Sequence, residues 1–163
     1  MSGFRFRLQP LLDRKIEIQD EAEKALVERQ KELAAEKQRL EEARKHEQDL
    51  IELRQKLRRE VMANAGGSIA GTEIKRRVEY IKFLGQEADT AREAVYAQQL
   101  VVTEAENKLK AARQHLTECT RDVDILNKYR DKQEKRFLRI AEQKEALELD
   151  EIGNMLYTNR RRS

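Results

Sequence analysis

The chain has 163 residues, of which 40% are charged and only 5% aromatic, with one proline and no tryptophan. That composition excludes a conventional globular core, which draws on more aromatic and branched apolar residues, and matches long helices and coiled coils. The 34 basic and 31 acidic side chains nearly cancel to a net charge of +3, so they read as solvated helix faces of i,i+4 pairs and give no case for nucleic-acid binding.

One cysteine leaves no intramolecular disulfide to form. No apolar run approaches the ~18 residues needed to span a bilayer. The opening residues Met1-Ser2-Gly3-Phe4-Arg5-Phe6 lack the apolar stretch of a signal peptide. A cytoplasmic location is the expectation. Disorder, the competing reading of so polar a chain, is disfavoured because the apolar residues are periodic.

Phe4, Phe6, Leu8, Leu11 and Leu12 cluster at the start of a chain with four phenylalanines in all. They suit either an exposed anchor for a partner or an apolar plug closing the end of a coiled coil. A first helix is predicted over residues 4–63, with Pro10 tolerated in its first turn. One heptad series along it reads Leu12, Gln19, Leu26, Leu33, Leu40, Glu47, Arg54, Val61. The other reads Leu8, Lys15, Ala22, Arg29, Glu36, Ala43, Leu50, Leu57. Ten of these sixteen positions are apolar, so the seam exists but charged residues interrupt it.

A turn is predicted over residues 64–72, Asn64-Ala65-Gly66-Gly67-Ser68-Ile69-Ala70-Gly71-Thr72, which holds three of the six glycines. Paired glycines end a helix readily, often through a left-handed conformation, and Thr72 is placed to cap the next helix with Glu73 in its first turn. So short a connection makes the flanking helices antiparallel neighbours.

The second helix is predicted over residues 73–157, followed by a basic tail at 158–163. Stepping by seven from Ile74 meets Ile81, Ala88, Val95, Val102, Leu109, Leu116 and Val123, all apolar. The companion series Arg77, Leu84, Ala91, Gln98, Ala105, Ala112, Cys119, Leu126, Gln133, Ile140, Leu147 is apolar at eight of eleven positions. A seven-residue repeat this long implies a left-handed supercoil against a partner helix. Past Val123 the first series decays to Arg130, Phe137, Lys144 and Glu151. The expected architecture is therefore all-α: one coiled-coil domain over 1–163 in which two long helices form an antiparallel hairpin, the second helix the longer.

Folding the chain at the glycines sets opposite each other residues whose numbers add to about 136. At ~1.5 Å per residue the helices would be roughly 80–90 Å and 120–130 Å long. Leu8 then faces the neighbourhood of Lys128, and the later residues project past the N-terminus, where the seam also loses its regularity. Helix 1 could not cover Phe137, Ile140, Leu147, Ile152, Met155, Leu156 and Tyr157, so they bind another protein, fold back, or pair in a dimer.

The projecting end is electrically structured. Lys128, Arg130, Lys132, Lys135, Arg136 and Arg139 form a basic stretch broken only by Asp131 and Glu134. The register sets Arg5, Arg7, Arg14 and Lys15 beside it, giving a positive collar that is either a docking surface for an acidic or phosphate-bearing partner or a solvated helix surface. Glu142, Glu145, Glu148, Asp150 and Glu151 follow, and Arg160, Arg161 and Arg162 close the chain. A basic-region DNA reader would carry fewer interspersed acids and dimerise in parallel.

Nothing points to catalysis, a metal or a cofactor. The numbers of His46 and His115 add to 161, several turns from a matched pair, so they cannot share a site. Cys119 falls on the seam as a small apolar filler. No phosphate loop, Cys-x-x-Cys or nucleophile–base arrangement occurs, and a two-stranded coiled coil offers no water-excluding pocket.

The opening Phe4-Arg5-Phe6-Arg7-Leu8-Gln9-Pro10-Leu11-Leu12-Asp13 resembles the FliJ family of flagellar export proteins, which begin with a Phe-x-Phe/Leu-Gln-x-Leu-Leu pattern and run into an Ala/Glu/Lys-rich helix. Gln143-Lys144-Glu145-Ala146-Leu147-Glu148-Leu149-Asp150-Glu151-Ile152 is similar to that family's C-terminal pattern, a Lys/Glu helix leading to Leu-Asp-Glu. Gly66-Gly67 and the Arg160-Arg161-Arg162 tail lie outside the family pattern. The resemblance implies a non-enzymatic component of a flagellar or virulence-type type III secretion apparatus, cytoplasmic and peripheral to the inner membrane. It implies a shape like the central stalk of rotary ATP synthases, inserted by the end bearing both termini into a hexameric export ATPase whose assembly and activity it promotes. It further implies contacts with the cytoplasmic domain of the export gate and with export chaperones. On this basis Phe4, Arg5, Phe6, Arg7, Leu11, Arg14, Lys128, Arg130, Lys132, Lys135, Arg136 and Arg139 are the ATPase-facing residues. The alternatives are a self-associating coiled-coil scaffold and a rotary ATP synthase stalk subunit proper, the latter disfavoured because the glycine break leaves no room for a globular insert.

Overall fold

The computed structural model describes residues 3–67 and 70–162. Two helices account for nearly all of them: α1, Gln9–Asn64, and α2, Gly71–Arg162. They form an all-α antiparallel hairpin, and α2, at 92 residues against 56, is the longer. Ser68 and Ile69 of the predicted turn, and Ser163 of the predicted tail, lie outside the described residues.

The predicted start of α1 is five residues too early. Gly3 to Phe6 are not helical, Arg7 and Leu8 make a turn, and the helix opens at Gln9. The reason lies in the phenylalanines. In extended backbone, side chains two apart point the same way, whereas in a helix Phe4 and Phe6 would diverge by about 200°. Extension puts both rings on α2: Phe6 lies 6.0 Å from Tyr129 and Phe4 lies 5.8 Å from Phe137, centroid to centroid. Pro10 falls in the first turn, where no backbone donor is required.

The break also differs in detail. Among the described residues no glycine has positive φ, so α1 does not end on a left-handed glycine there. It ends through tight i,i+3 bonds, Ala65 N to Met62 O at 3.4 Å and Gly67 N to Asn64 O at 3.0 Å. Thr72 is inside α2 rather than its cap; the Ala70 carbonyl accepts from Glu73 and Ile74 N–H at 3.0 and 3.3 Å and so opens the helix. At its other end α2 does not stop at 157 but continues through Arg162.

The chain divides into two units, Met1–Glu23 with Gln114–Ser163, and Lys24–Arg113. The second unit carries the most regular seam. Leu40 of α1 and Ile81, Leu84, Ala88, Ala91, Val102, Ala105 and Leu109 of α2 are buried there. The charged interruptions of helix 1 turn out to be seam residues too. Gln98 donates to both the Glu36 carboxylate (2.6 Å) and its carbonyl (3.0 Å), Arg92 pairs with Glu47 at 3.3 Å, and Arg54 lies over Gly85. Glu36 and Glu47 are only about one-fifth exposed. In the first unit Phe6, Leu12 and Val123 form a buried cluster on which Phe4 and Leu126 pack. Lys15 pairs with Asp122 at 3.1 Å and Gln19 donates to Thr120 at 3.2 Å. These polar cross-pairs add to between 134 and 139, around the register of 136 that the glycine fold implied.

Candidate functional site: the end bearing both termini

The first unit brings together most of the residues singled out in the sequence. Phe6 is buried and Phe4 half-buried, so of the two readings of the N-terminal aromatics the plug describes this molecule. Leu8 and Leu11 remain exposed. Because an extended residue advances ~3.3 Å against ~1.5 Å in a helix, the short N-terminal arm follows α2 as far as Phe137. Helix 1 leaves Phe137 uncovered as expected; the Phe4 ring of the arm touches it, yet Phe137 stays 36% exposed. Beyond it, residues 138–162 of α2 are nearly all exposed, roughly 37 Å of helix at ~1.5 Å per residue, and Leu147, Leu149, Ile152, Met155 and Leu156 are each more than half exposed.

The basic stretch proves to be two surfaces rather than one collar. Lys128, Lys132, Lys135 and Arg139 stand at i, i+4, i+7 and i+11, so they share one face of α2. All four are exposed. The seam residues Val123, Leu126 and Gln133 lie on the opposite face, half or wholly buried, so the cationic stripe points away from α1. Arg121, one heptad before Lys128 and also exposed, lengthens the stripe; the seven-residue spacing was the signal that could have found it. Arg136 flanks the stripe and is exposed. Arg130 falls on the seam side, half-buried, with Asp131 at 3.5 Å.

The second surface belongs to the N-terminal arm. Arg5 and Arg7 are exposed and line, with Phe4, Phe6, Tyr129 and Gln133, a groove of about 290 Å³ between the arm and α2. A shallower hollow on the arm itself is bordered by Gln9, Pro10 and Asp13. Arg14 is engaged by Glu17 at 3.1 Å, both side chains 64% exposed, an interaction of little energetic weight. Lys15 is taken up by Asp122 across the seam and does not contribute to the positive surface.

No group of three or more His, Cys, Asp or Glu among the described residues is placed to hold a metal ion. Cys119 is buried in the seam, with His115 Nε2 3.7 Å from its sulfur. No described helix is long and apolar enough to cross a membrane. What the geometry offers is a row of exposed cations, a groove flanked by arginines, and a helix whose described residues 138–162 are nearly all exposed.

Comparison with known proteins agrees with the fold. A Chlamydia trachomatis chain described as a YscO homologue superposes with a TM-score of 0.82 at 22% identity, over 98% of this chain and 99% of the other. At that identity the likeness speaks for the fold. No curated protein matches the chain. The YscO-like family model matches residues 4–163, a family related to, but not the same as, the FliJ proteins that the terminal motifs resemble. The chain belongs to the YscO-like family, components of type III secretion.

Proposed function

We infer that this chain is a non-enzymatic stalk or adaptor that binds the hexameric type III export ATPase through the end bearing both termini and promotes its assembly and activity. In the same reading it links the ATPase to the cytoplasmic domain of the export gate and to export chaperones, at the cytoplasmic side of the inner membrane. One observation carries the reading: α2 continues for residues 138–162 beyond its last aromatic contact with the arm, and an exposed stripe of four cations on one face runs into the start of that segment. A projecting helix with a one-sided cationic stripe suits insertion into a ring, and like-signed cations accelerate encounter with an acidic surface.

The experiment is ATP hydrolysis by the cognate export ATPase, with and without this protein, read together with the ATPase's oligomeric state. Stimulated turnover with hexamer formation is expected. The variant Lys132→Glu/Lys135→Glu/Arg139→Glu should require at least a tenfold higher concentration for the same stimulation at low salt, with unchanged helicity. Arg130 is left alone because it is half-buried. Unchanged stimulation by the variant would remove the stripe from the interface. No stimulation by the native protein, with the chain itself dimeric at micromolar concentration, would favour a scaffold whose exposed Leu149, Ile152 and Leu156 pair between copies.

A further inference from the structure

The second unit holds a concentration of charge that the terminal motifs do not account for. Residues 54–62 of α1 and 73–82 of α2 carry eight cations (Arg54, Lys56, Arg58, Arg59, Lys75, Arg76, Arg77, Lys82) against three carboxylates (Glu60, Glu73, Glu79). The local excess is five, where the whole chain carries only +3. On one side of the hairpin, near the glycine break, residues of both helices line an open groove of about 740 Å³. Val61, Met62, Val78 and Ile81 line its apolar part, and Arg54, Arg58, Arg59 and Lys82 its edges. No carboxylate lines it.

Three details mark this groove as made for an occupant. Met62 is 82% exposed and Val78 38%, an apolar surface open to water beside the seam. None of the four bordering cations is ion-paired within the described residues. The Arg54 guanidinium lies against Gly85, where an added Cβ would meet it at 3.0–3.3 Å, and its buried Nε has no hydrogen-bond partner. A buried donor without an acceptor is destabilising, and a carboxylate reaching that edge of the guanidinium would supply the acceptor in the bidentate manner arginine favours.

We propose that this groove docks an acidic amphipathic helix of a partner protein. Residues 54 to 62 span about two helical turns, so the occupant presents two turns of apolar side chains to Val61, Met62 and Val78. Its flanking glutamates or aspartates meet Arg58, Arg59 and Lys82 on either side. A concave site between two helices with an apolar interior fits a third helix laid alongside them. A phosphate-rich polymer would leave the apolar surface unused, and a flat anionic membrane would not enter a groove. The site is built from residues of the second unit alone, and the proposal does not depend on the ATPase-binding reading.

The test uses the full chain and a fluorescein-labelled helical peptide of about 20 residues with leucine at the a and d heptad positions and glutamate on the flanks. Two control peptides replace its glutamates by lysine or its leucines by serine. Fluorescence anisotropy is expected to show saturable binding of the Leu/Glu peptide and at least tenfold weaker binding of each control. Arg58→Glu/Arg59→Glu/Lys82→Glu should weaken binding tenfold or more, and so should Met62→Ser/Val78→Ser. Lys132→Glu/Lys135→Glu/Arg139→Glu should leave binding unchanged; circular dichroism confirms that all three variants keep their helicity. Equal binding of the serine control would reduce the site to bare charge and overturn the proposal. So would undiminished binding to either groove variant, or loss of binding in the Lys132/Lys135/Arg139 variant. Adsorption to phosphatidylserine vesicles that the first groove variant abolishes, without any peptide binding, would assign the cations to a membrane instead.

Discussion

Among the described residues Leu12 is the most deeply enclosed side chain, 1% exposed, and it joins the extended arm to α2 through Phe6 and Val123. Truncating it leaves a void where little can collapse, so Leu12→Ala should cost about 2–4 kcal/mol, read as a lower urea midpoint at unchanged slope. Gly85 presents the opposite case. A methyl group there must displace the Arg54 guanidinium by a few tenths of an ångström, a flexible group that yields easily. Alanine also gains up to ~1 kcal/mol of helix propensity over glycine. Gly85→Ala should therefore raise the thermal midpoint slightly, and a lowered midpoint would mean that Arg54 is held more firmly than its reach suggests.

At the scale of the elements, much was legible because a heptad repeat reports burial directly. Every position of the Ile74-to-Val123 series is buried or half-buried, as are fifteen of the sixteen positions in the two helix 1 series, Leu8 being the exception. Helix 1 read as noisy because Lys15, Glu36, Glu47 and Arg54 look like interruptions until their partners across the seam are known. The non-helical arm was not legible, since two alternating phenylalanines are too short a pattern to separate strand from helix period. The division of the basic stretch into an outward stripe and a seam-side arginine is hidden for another reason: neighbours in a run of charge lie about 100° apart on a helix, so a run spans more than one face. The turn gives a testable corollary. With no positive φ at the described glycines, Gly66→Ala/Gly67→Ala should be tolerated and should stabilise by about 1 kcal/mol through the unfolded chain. A clear loss of stability would show that the turn visits a left-handed conformation.

For the molecule as a whole, protection should be graded along α2. Residues 81–126 bury one face against α1, whereas residues 141–162 have backbone hydrogen bonds but scarcely any tertiary contact. Local opening free energy follows such contacts. Hydrogen–deuterium exchange should therefore be fast over the terminal segment of the free protein and slow over the seam. Saturating export ATPase should slow the terminal segment selectively; slow exchange there in the free chain would point to self-association.

The polar residues set into the seam have one further consequence. If α1 slipped by a heptad, Glu36 would leave Gln98 and face the methyl groups of Ala91 or Ala105, Glu47 would lose Arg92, and Arg54 would meet a side chain where Gly85 now gives it room. An all-leucine seam would accept each such step at nearly equal energy. This one has teeth of unequal shape, so the two helices behave as a keyed joint with a single seating, and a pull along one strand is resisted by the other instead of being lost to creep.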